Sequence, residues 1–301
     1  MKRAVSVSLG SPSRDKKVMV DFKGMPISIE RVGTGGDARK AGRLFAELDG
    51  QVDALSLGGI DAYVHLDGRD YPIYAALKLM QNIHRTPWVD GRFMKHALEG
   101  QVFELAQAQL GGRPRFRRAF IPFGTDRTAL IAAVSQVAEE VIIGDLMFMF
   151  GLPLPIRGLG QFKRVVRLLL PLAGRLPLHM LFPPGVKDEA PHPKFLRYWQ
   201  SADLIAGDMH YIRKYAGDDL RGKFVITNTT TLADVEILRR RGVRQALTTT
   251  PVFDGRSFGV NAMEAALVAY AGKGRALSIA ELVALINELE LKPVFQVLNP
   301  E

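Results

Sequence analysis

Apolar and polar positions follow one recurring order along the chain: a short apolar run, a turn rich in glycine, aspartate and threonine, and then a helical pattern. The clearest example runs from an apolar stretch at 27–32 through Gly33-Thr34-Gly35-Gly36-Asp37 to a helical pattern over 38–48, with Asp37 placed to cap the helix. Alternation of this kind is typical of βαβ units and a parallel sheet. It predicts an α/β fold with mostly parallel, Rossmann-like, three-layer sheets in two lobes.

The same order recurs along most of the chain. Strands are predicted at 52–57, 87–89, 119–123, 204–206, 224–226 and 246–247, each before a polar turn. Helices are expected from just after Arg92 to about residue 110 and from just after Arg127 through Glu140.

The N-terminal region and the middle of the chain depart from this order. Lys23-Gly24 separates two strand patterns at 18–22 and 27–32, which predicts an antiparallel hairpin at the N-terminus. Prolines interrupt any regular pattern between residues 141 and 193. We therefore expect an N-terminal α/β lobe at 1–145 and a C-terminal α/β lobe at 146–301.

Composition excludes several classes of protein. The 301 residues are 47 % hydrophobic and 24 % charged, which is the balance of a globular chain and not of a disordered one. The absence of cysteine excludes disulfides, thiolate metal sites and a cysteine nucleophile. Met1-Lys2-Arg3 leads into a strand pattern and not into an apolar leader, so we expect a cytoplasmic protein.

The net charge of +9 changes the expected partners. Basic side chains concentrate at 113–118 and at 157–187, and such surfaces attract nucleic acid, anionic lipid or anionic metabolites. No zinc spacing or RNA-binding aromatic motif accompanies them, so a small anionic metabolite is favoured over nucleic acid.

The pattern of apolar residues bears on membrane contact and on self-association. The apolar run at 141–156 is shorter than the roughly 20 residues of a membrane span. Residues 161–172 mix basic and apolar positions and could lie on a membrane surface, but a helix packed on its own core is the commoner explanation. A homo-oligomer stays open, because apolar surface and apolar core look alike in sequence.

Two threonine clusters follow consecutive predicted strands. Ligands bind beyond the carboxyl ends of parallel strands, and helix N-termini there favour anions. The clusters therefore predict an anion-binding rim, completed by the guanidinium of Arg256. The proposed substrate-binding or anion-binding residues are Asn228, Thr229, Thr230, Thr248, Thr249, Thr250, Arg256 and Ser257.

A loose dinucleotide fingerprint lies near the N-terminus. Gly33, Gly35 and Gly36 stand between a predicted strand and a predicted helix, with Ala38 in the third small position. Asp61 is the nearest strand-end carboxylate that could bind a ribose, although it stands further along than the fingerprint requires. The competing interpretation is a tight turn between strand and helix.

The acid/base candidates also follow predicted strands and turns. Asp208 and His210 could exchange a proton near neutral pH, and Lys187 lies in a loop that could cover a site. Helix capping and solvated surface are the competing roles. We find no Ser-His-Asp set and no His-x-x-x-His pair, and we assign no metal ligand.

The whole chain resembles a bacterial family that carries the label quinate 5-dehydrogenase. The resemblance rests on Val-Ser-Val-Ser-Leu-Gly-Ser at 5–11, Gly58-Gly59-Ile60-Asp61, Gly144-Asp145-Leu146-Met147-Phe148, Ala206-Gly207-Asp208, Ile226-Thr227-Asn228-Thr229-Thr230, Thr248-Thr249-Thr250-Pro251 and Gly255-Arg256-Ser257-Phe258-Gly259. It implies an NAD or NADP cofactor and oxidation of a cyclic hydroxy acid. Well-understood quinate and shikimate dehydrogenases carry the nucleotide loop in their second domain and a Lys/Asp catalytic pair supplied mainly by their first. Their Asn-Val-Thr-x-Pro-x-Lys run is absent from this sequence.

Three functions stay open at this point. The first is an NAD(P)-dependent oxidoreductase acting on a quinate-like hydroxy acid. The second is a transferase or lyase whose threonine rim binds a phosphorylated or nucleotide-like substrate. The third is a non-catalytic metabolite-binding protein.

Overall fold

A computed structural model describes residues 1–178, 190–253, 256–257 and 259–300. It confirms the α/β class: two sheets are mostly parallel, and an antiparallel hairpin stands at the N-terminus.

The strands are numbered in chain order. They are β1 (Lys2–Ser8), β2 (Lys16–Phe22), β3 (Met25–Gly33), β4 (Ala54–Gly58), β5 (Tyr63–Leu66), β6 (Arg69–Pro72), β7 (Trp88–Val89), β8 (Phe116–Ile121), β9 (Ala138–Ile143), β10 (Ile156–Arg157), β11 (Leu204–Ala206), β12 (Phe224–Thr227), β13 (Gln245–Thr248), β14 (Val252–Phe253), β15 (Arg256–Ser257) and β16 (Val294–Val297).

The helices connect these strands and cover the sheets. They are α1 (Ala38–Leu48), α2 (Tyr74–Leu77), α3 (Arg92–Glu99), α4 (Val102–Leu105), α5 (Gln107–Leu110), α6 (Thr128–Val134), α7 (Asp145–Phe150), α8 (Gly158–Ala173), α9 (Leu196–Ser201), α10 (Met209–Tyr215), α11 (Leu232–Arg240), α12 (Val260–Ala271) and α13 (Ile279–Glu288). Short 3-10 turns occupy Pro12–Arg14 and Lys78–Met80.

The first sheet has the order β2-β3-β1-β4-β7 within the described residues. Strands β3, β1, β4 and β7 are parallel, and β2 pairs antiparallel with β3 at the edge. The predicted hairpin is confirmed, and its turn is Lys23-Gly24, with φ of 52° and 84°. Positive φ at both central residues is the requirement of the type I′ turn that joins twisted strands.

The second sheet has the order β10-β9-β8-β11-β12-β13-β16. Its five inner strands are parallel, and β10 and β16 are antiparallel edges. Numbered by their place in the chain, the strands read 3-2-1-4-5-6-7. The order therefore reverses between β8 and β11, and such a reversal opens a crevice at the carboxyl ends of the strands.

Each sheet belongs to one of two compact units. The first unit comprises Met1–Ala97, Leu169–Pro184 and Gly259–Leu291, and the second comprises Leu98–Leu168, Gly185–Phe258 and Lys292–Glu301. The division falls after Ala97 and not at residue 145, because β8 and β9 pair within the same sheet as β11–β13. The chain also returns to the first unit with α12 and α13.

Each unit has its own apolar core. In the first, α12 packs on β1, β3 and β4, and nearly all of its side chains are buried. A helix that is apolar on all sides is expected to be buried in this way. In the second, the fully buried Trp199 and Phe120 meet edge to face, with ring centroids 5.0 Å apart.

Candidate functional site

The loops that follow β8, β11, β12 and β13 gather polar side chains at one edge of the second sheet. Arg127, in the loop after β8, is buried, and its guanidinium forms a close ion pair with buried Glu99. The same guanidinium donates to Oδ2 of Asp208 at 3.2 Å. Because β8 and β11 are neighbours, this contact ties the two loops that flank the reversal of strand order.

Asp208 joins three of these loops. Its Oδ1 accepts the main-chain N–H of His210 at 2.8 Å, which caps α10, and its Oδ2 accepts Nδ2 of Asn228 at 3.1 Å as well as Arg127. The sequence predicts Asp208 and His210 as acid/base candidates that need not act together. The contact from the main-chain N–H of His210 to Asp208 positions the loop at the start of α10.

The two threonine clusters lie together at the ends of β12 and β13. The hydroxyls of Thr229 and Thr250 are 3.3 Å apart, and those of Thr230 and Thr248 are 3.1 Å apart. Thr250 also donates to the main-chain oxygen of Asn228. Most of these hydroxyls therefore bond within the chain.

Thr249 differs from its neighbours in the cluster. Its side chain is buried, and its Oγ1 has no hydrogen-bond partner in the described structure. A buried hydroxyl left without a partner is costly, and in native structures such a group calls for an explanation. It is a donor available to a ligand at this edge of the sheet.

Asp145 follows β9 and lies beside the turn that joins β8 to α6. The buried carboxyl accepts the main-chain N–H groups of Gly124 at 2.9 Å and Thr125 at 2.8 Å, together with the Thr125 hydroxyl. Burial raises the pKa of Asp145 to about 6, against the lowering effect of those hydrogen bonds. The carboxyl therefore holds the β8–α6 turn from inside the protein.

Some predicted site residues lie outside the described part of the structure. They are the acid/base candidate Lys187 and, of the anion-binding rim, the side chains of Arg256 and Ser257. The main chain of Arg256 and Ser257 forms β15, which pairs with β14.

The predicted dinucleotide turn of the first unit makes its contacts within the chain. The N–H of Gly33 donates to Asp15, and the N–H groups of Thr34, Gly35 and Gly36 donate to main-chain oxygens of residues 8–10 at 2.7–3.0 Å. A pyrophosphate would need these same N–H groups. In this structure the turn instead fastens the end of β3 to the end of β1.

Asp61 forms an ion pair that sequence reasoning missed. Nζ of Lys95, in α3, donates to both carboxylate oxygens of Asp61 at 2.9 and 3.0 Å. The side chains are only 11 % and 14 % exposed. From sequence, a lysine in an amphipathic helix is expected to be solvated. The signal that could have indicated otherwise is its position, four residues after Gly91 in the turn that follows a strand.

A second charged network surrounds the start of α3. Arg92 donates to Asp90 at 2.8 Å and to Asp70 at 3.1 Å, and Asp70 contacts Nδ1 of His65 at 2.6 Å. The His65 ring meets His96 edge to face, with centroids 4.7 Å apart. Burial, followed by the neighbouring His65, lowers the pKa of His96 to about 4, so His96 is neutral at pH 7.

Helix α12 brings further polar groups to the same end of the first sheet. Asn261 donates to the hydroxyls of Ser6 at 2.7 Å and Ser56 at 3.2 Å. Gly91 has φ of +94°, and a Cβ there would lie 3.0 Å from the main chain of Asn261. Glu264 is fully buried near Asp90, and burial raises its pKa to about 8.

In the described part of the chain, the histidine and carboxylate side chains form no group of three that could hold a metal ion. None of its helices combines the length and the apolar character needed to cross a membrane.

Two family profiles match the sequence. The profile of a domain of unknown function, DUF8753, matches residues 3–90, and that of a domain of unknown function, DUF8754, matches residues 93–298. The two segments adjoin close to the point where the chain first leaves the first unit, after Ala97. No curated protein matches the chain.

Several solved structures show a distant likeness. An NAD-dependent malic enzyme from Thermotoga maritima is 10 % identical, with a TM-score of 0.38 over 95 % of this chain and 84 % of that one. A glutamate dehydrogenase is 13 % identical, with a TM-score of 0.39 over 96 % and 70 %. An ABC transporter solute-binding protein from Burkholderia multivorans is 12 % identical, with a TM-score of 0.35 over 98 % of each chain. Proteins of such different kinds match at the same level, so the likeness assigns none of their activities to this chain.

Proposed function

The chain belongs to the DUF8754 family, and from the geometry of its sites we propose that it is an NAD(P)-dependent oxidoreductase acting on a quinate-like hydroxy acid. The observation that carries the proposal is the strand order of the second sheet. Its reversal between β8 and β11 is the arrangement at which Rossmann folds bind dinucleotides.

Two side chains at that edge bear on dinucleotide binding in opposite ways. Asp145 stands 21 residues after Gly124, near the place where Rossmann folds carry the carboxylate for the ribose, but it is buried and its oxygens already accept the N–H groups of Gly124 and Thr125. Thr249 offers a buried hydroxyl without a partner. Because the N–H groups of the Gly33–Gly36 turn and the carboxylate of Asp61 are engaged within the first unit, we assign the cofactor to the second unit.

Asp208 and His210 are the proposed proton-transfer residues, because they follow β11, one of the two strands that flank the reversal of strand order. A bound nicotinamide would supply the hydride for reduction of a ketone, and one of these two side chains would supply the proton to the carbonyl oxygen that becomes the hydroxyl.

Ligand-dependent thermal stability of the purified chain tests this proposal. We expect NAD or NADP to raise the melting temperature, since a ligand at a hundredfold excess over its dissociation constant stabilises the fold by about 2.7 kcal/mol. Quinate with that nucleotide should then produce absorbance of the reduced nicotinamide. If no nicotinamide nucleotide shifts the melting temperature, the oxidoreductase proposal fails.

A second candidate function is supported by the contacts of Asp145. Its carboxyl already accepts the N–H groups of Gly124 and Thr125, which a pyrophosphate at the first turn would use. A smaller phosphorylated substrate at the threonine rim avoids that conflict, and the reaction would then be that of a transferase or lyase. Stabilisation by phosphate or a nucleoside phosphate, with none by nicotinamide nucleotides, would favour this alternative.

A further inference from the structure

Strand β2 forms a long, regular edge of the first sheet. Its seven residues pair one to one with β3 from Lys16 to Phe22, without a bulge, and the strand contains neither proline nor glycine. The other edges of the two large sheets are β7, β10 and β16, which have two, two and four residues. Edge strands are commonly kept short or interrupted, because their free N–H and C=O groups can pair with another chain.

The geometry of the hairpin determines which main-chain groups of β2 point away from β3. A two-residue turn joins Phe22 to Met25, so these two residues form a hydrogen-bonded pair. Antiparallel ladders alternate such pairs with pairs that are not hydrogen-bonded. Lys17, Met19 and Asp21 belong to the second kind of pair, and their N–H and C=O groups therefore point outward from the edge of the sheet.

The side chains of these three residues are exposed as well. Nζ of Lys17 lies 3.7 Å from Glu30 on the neighbouring strand, and Oδ1 of Asp21 accepts the main-chain N–H of Gly24 at 2.6 Å. Both charged groups nevertheless stay at the surface, with Met19 between them at 44 % exposure. The outward-facing positions of the strand thus carry a cation, an apolar side chain and an anion, in that order.

A second copy of the chain fits this order of charges. Two β2 strands that run antiparallel about a two-fold axis at Met19 bring their outward-facing main-chain groups together. Lys17 of each copy then lies directly opposite Asp21 of the other. Opposite charges at facing positions stabilise a sheet, and this pairing provides two such contacts.

The two neighbouring registers are disfavoured by charge. Moving the partner strand by two residues in one direction would place Asp15 opposite Asp21. Moving it by two residues in the other direction would place Lys17 opposite Lys23. Like charges at facing positions destabilise a sheet, so the sequence of β2 favours pairing with itself in the register centred on Met19.

We propose that two copies of the chain associate through antiparallel pairing of their β2 strands. The five described strands of each first sheet then form one continuous sheet of ten strands. The two copies of Met19 meet at the two-fold axis, flanked by the two contacts between Lys17 and Asp21. This interface does not depend on the proposed catalytic function.

Analytical ultracentrifugation of the full chain tests the proposal, and we expect a dimer whose population rises with concentration. Lys17→Asp brings two carboxylates together at each end of the pairing, and Asp21→Lys brings two ammonium groups together. Each variant alone should raise the dissociation constant of the dimer about tenfold or more. An equimolar mixture of the two variants should regain the dimer, because every facing pair then has opposite charges.

The matched control is Lys40→Asp, which makes the same charge change at an exposed position of α1 in the same unit. Circular dichroism verifies that each variant is folded, and the main-chain N–H of Met19 should exchange with solvent more slowly in the dimer. The proposal is overturned if the chain is monomeric at every concentration, or if Lys17→Asp dimerises as well as Lys40→Asp. It is also overturned if mixing the two β2 variants does not restore the dimer.

Discussion

Lys95 and Asp61 form a two-oxygen ion pair at the carboxyl end of the first sheet, where both side chains are nearly buried. Burying such a pair brings little net stability, because the cost of removing two charges from water offsets their attraction. Removing only one of the two partners is costly, however, because it leaves the other charge without its counter-ion.

Replacing one or both partners tests this balance. Lys95→Met should destabilise the fold, because Asp61 is left nearly buried and charged. The double variant Lys95→Met, Asp61→Asn should regain most of the lost stability. Urea unfolding measures both variants. A double variant that is no more stable than Lys95→Met would show that the two side chains are not coupled.

Arg127 and Glu99 should behave as a structural pair. Arg127→Met leaves the Glu99 carboxylate buried without its cation, and we expect a loss of about 3–5 kcal/mol in the free energy of unfolding. Adding Glu99→Gln should restore much of that loss. Arg239→Met is the matched control, since its pair with Glu236 is exposed and should contribute far less. Equal losses at the two positions would contradict the assigned burial of Arg127.

The hydroxyl of Thr249 is expected to matter for a ligand and not for folding. Thr249→Val removes a buried donor without a partner, so the ligand-free protein should be unchanged or more stable by about 1 kcal/mol. The same variant should lose the stabilisation given by the nucleotide or phosphate that shifts the wild-type protein. Ser28→Ala is the control, because Ser28 is another buried hydroxyl without a partner, in the first unit. If ligand stabilisation survives Thr249→Val unchanged, Thr249 does not contact the ligand.

Local patterns predicted much of the fold. The Lys23-Gly24 turn and the threonine-rich turns after β12 and β13 were all visible, because they depend on neighbours in sequence. The helix expected through Glu140 was wrong: α6 ends at Val134 and β9 begins at Ala138, because Glu139-Glu140 obscures the apolar run of that strand.

Other differences arise from contacts between distant residues. The helix expected from Arg92 to about residue 110 is divided into α3, α4 and α5. The ion pairs of Lys95 and Arg127 join residues 34 and 28 positions apart. Nothing in the local sequence distinguishes a buried arginine or lysine from a solvated one, since both fit an amphipathic pattern. The fold class was therefore predictable, and the charged centres of the two units were not.

Glu264 should make stability fall as pH rises. Its pKa in the folded protein is about 8, against an ordinary value of 4.5, so between those values the folded state keeps a proton that the unfolded state releases. The stability that this group contributes is fully present below about pH 4.5 and is lost as pH rises through 8, with a slope approaching about 1.4 kcal/mol per pH unit.

Glu264→Gln stays neutral, so its stability relative to wild type should increase from pH 5 to pH 8 in urea unfolding. Glu47→Gln, at an exposed position on α1 in the same unit, should leave the pH dependence unchanged. A pH dependence that is the same in Glu264→Gln as in wild type would show that Glu264 does not retain its proton in the folded protein.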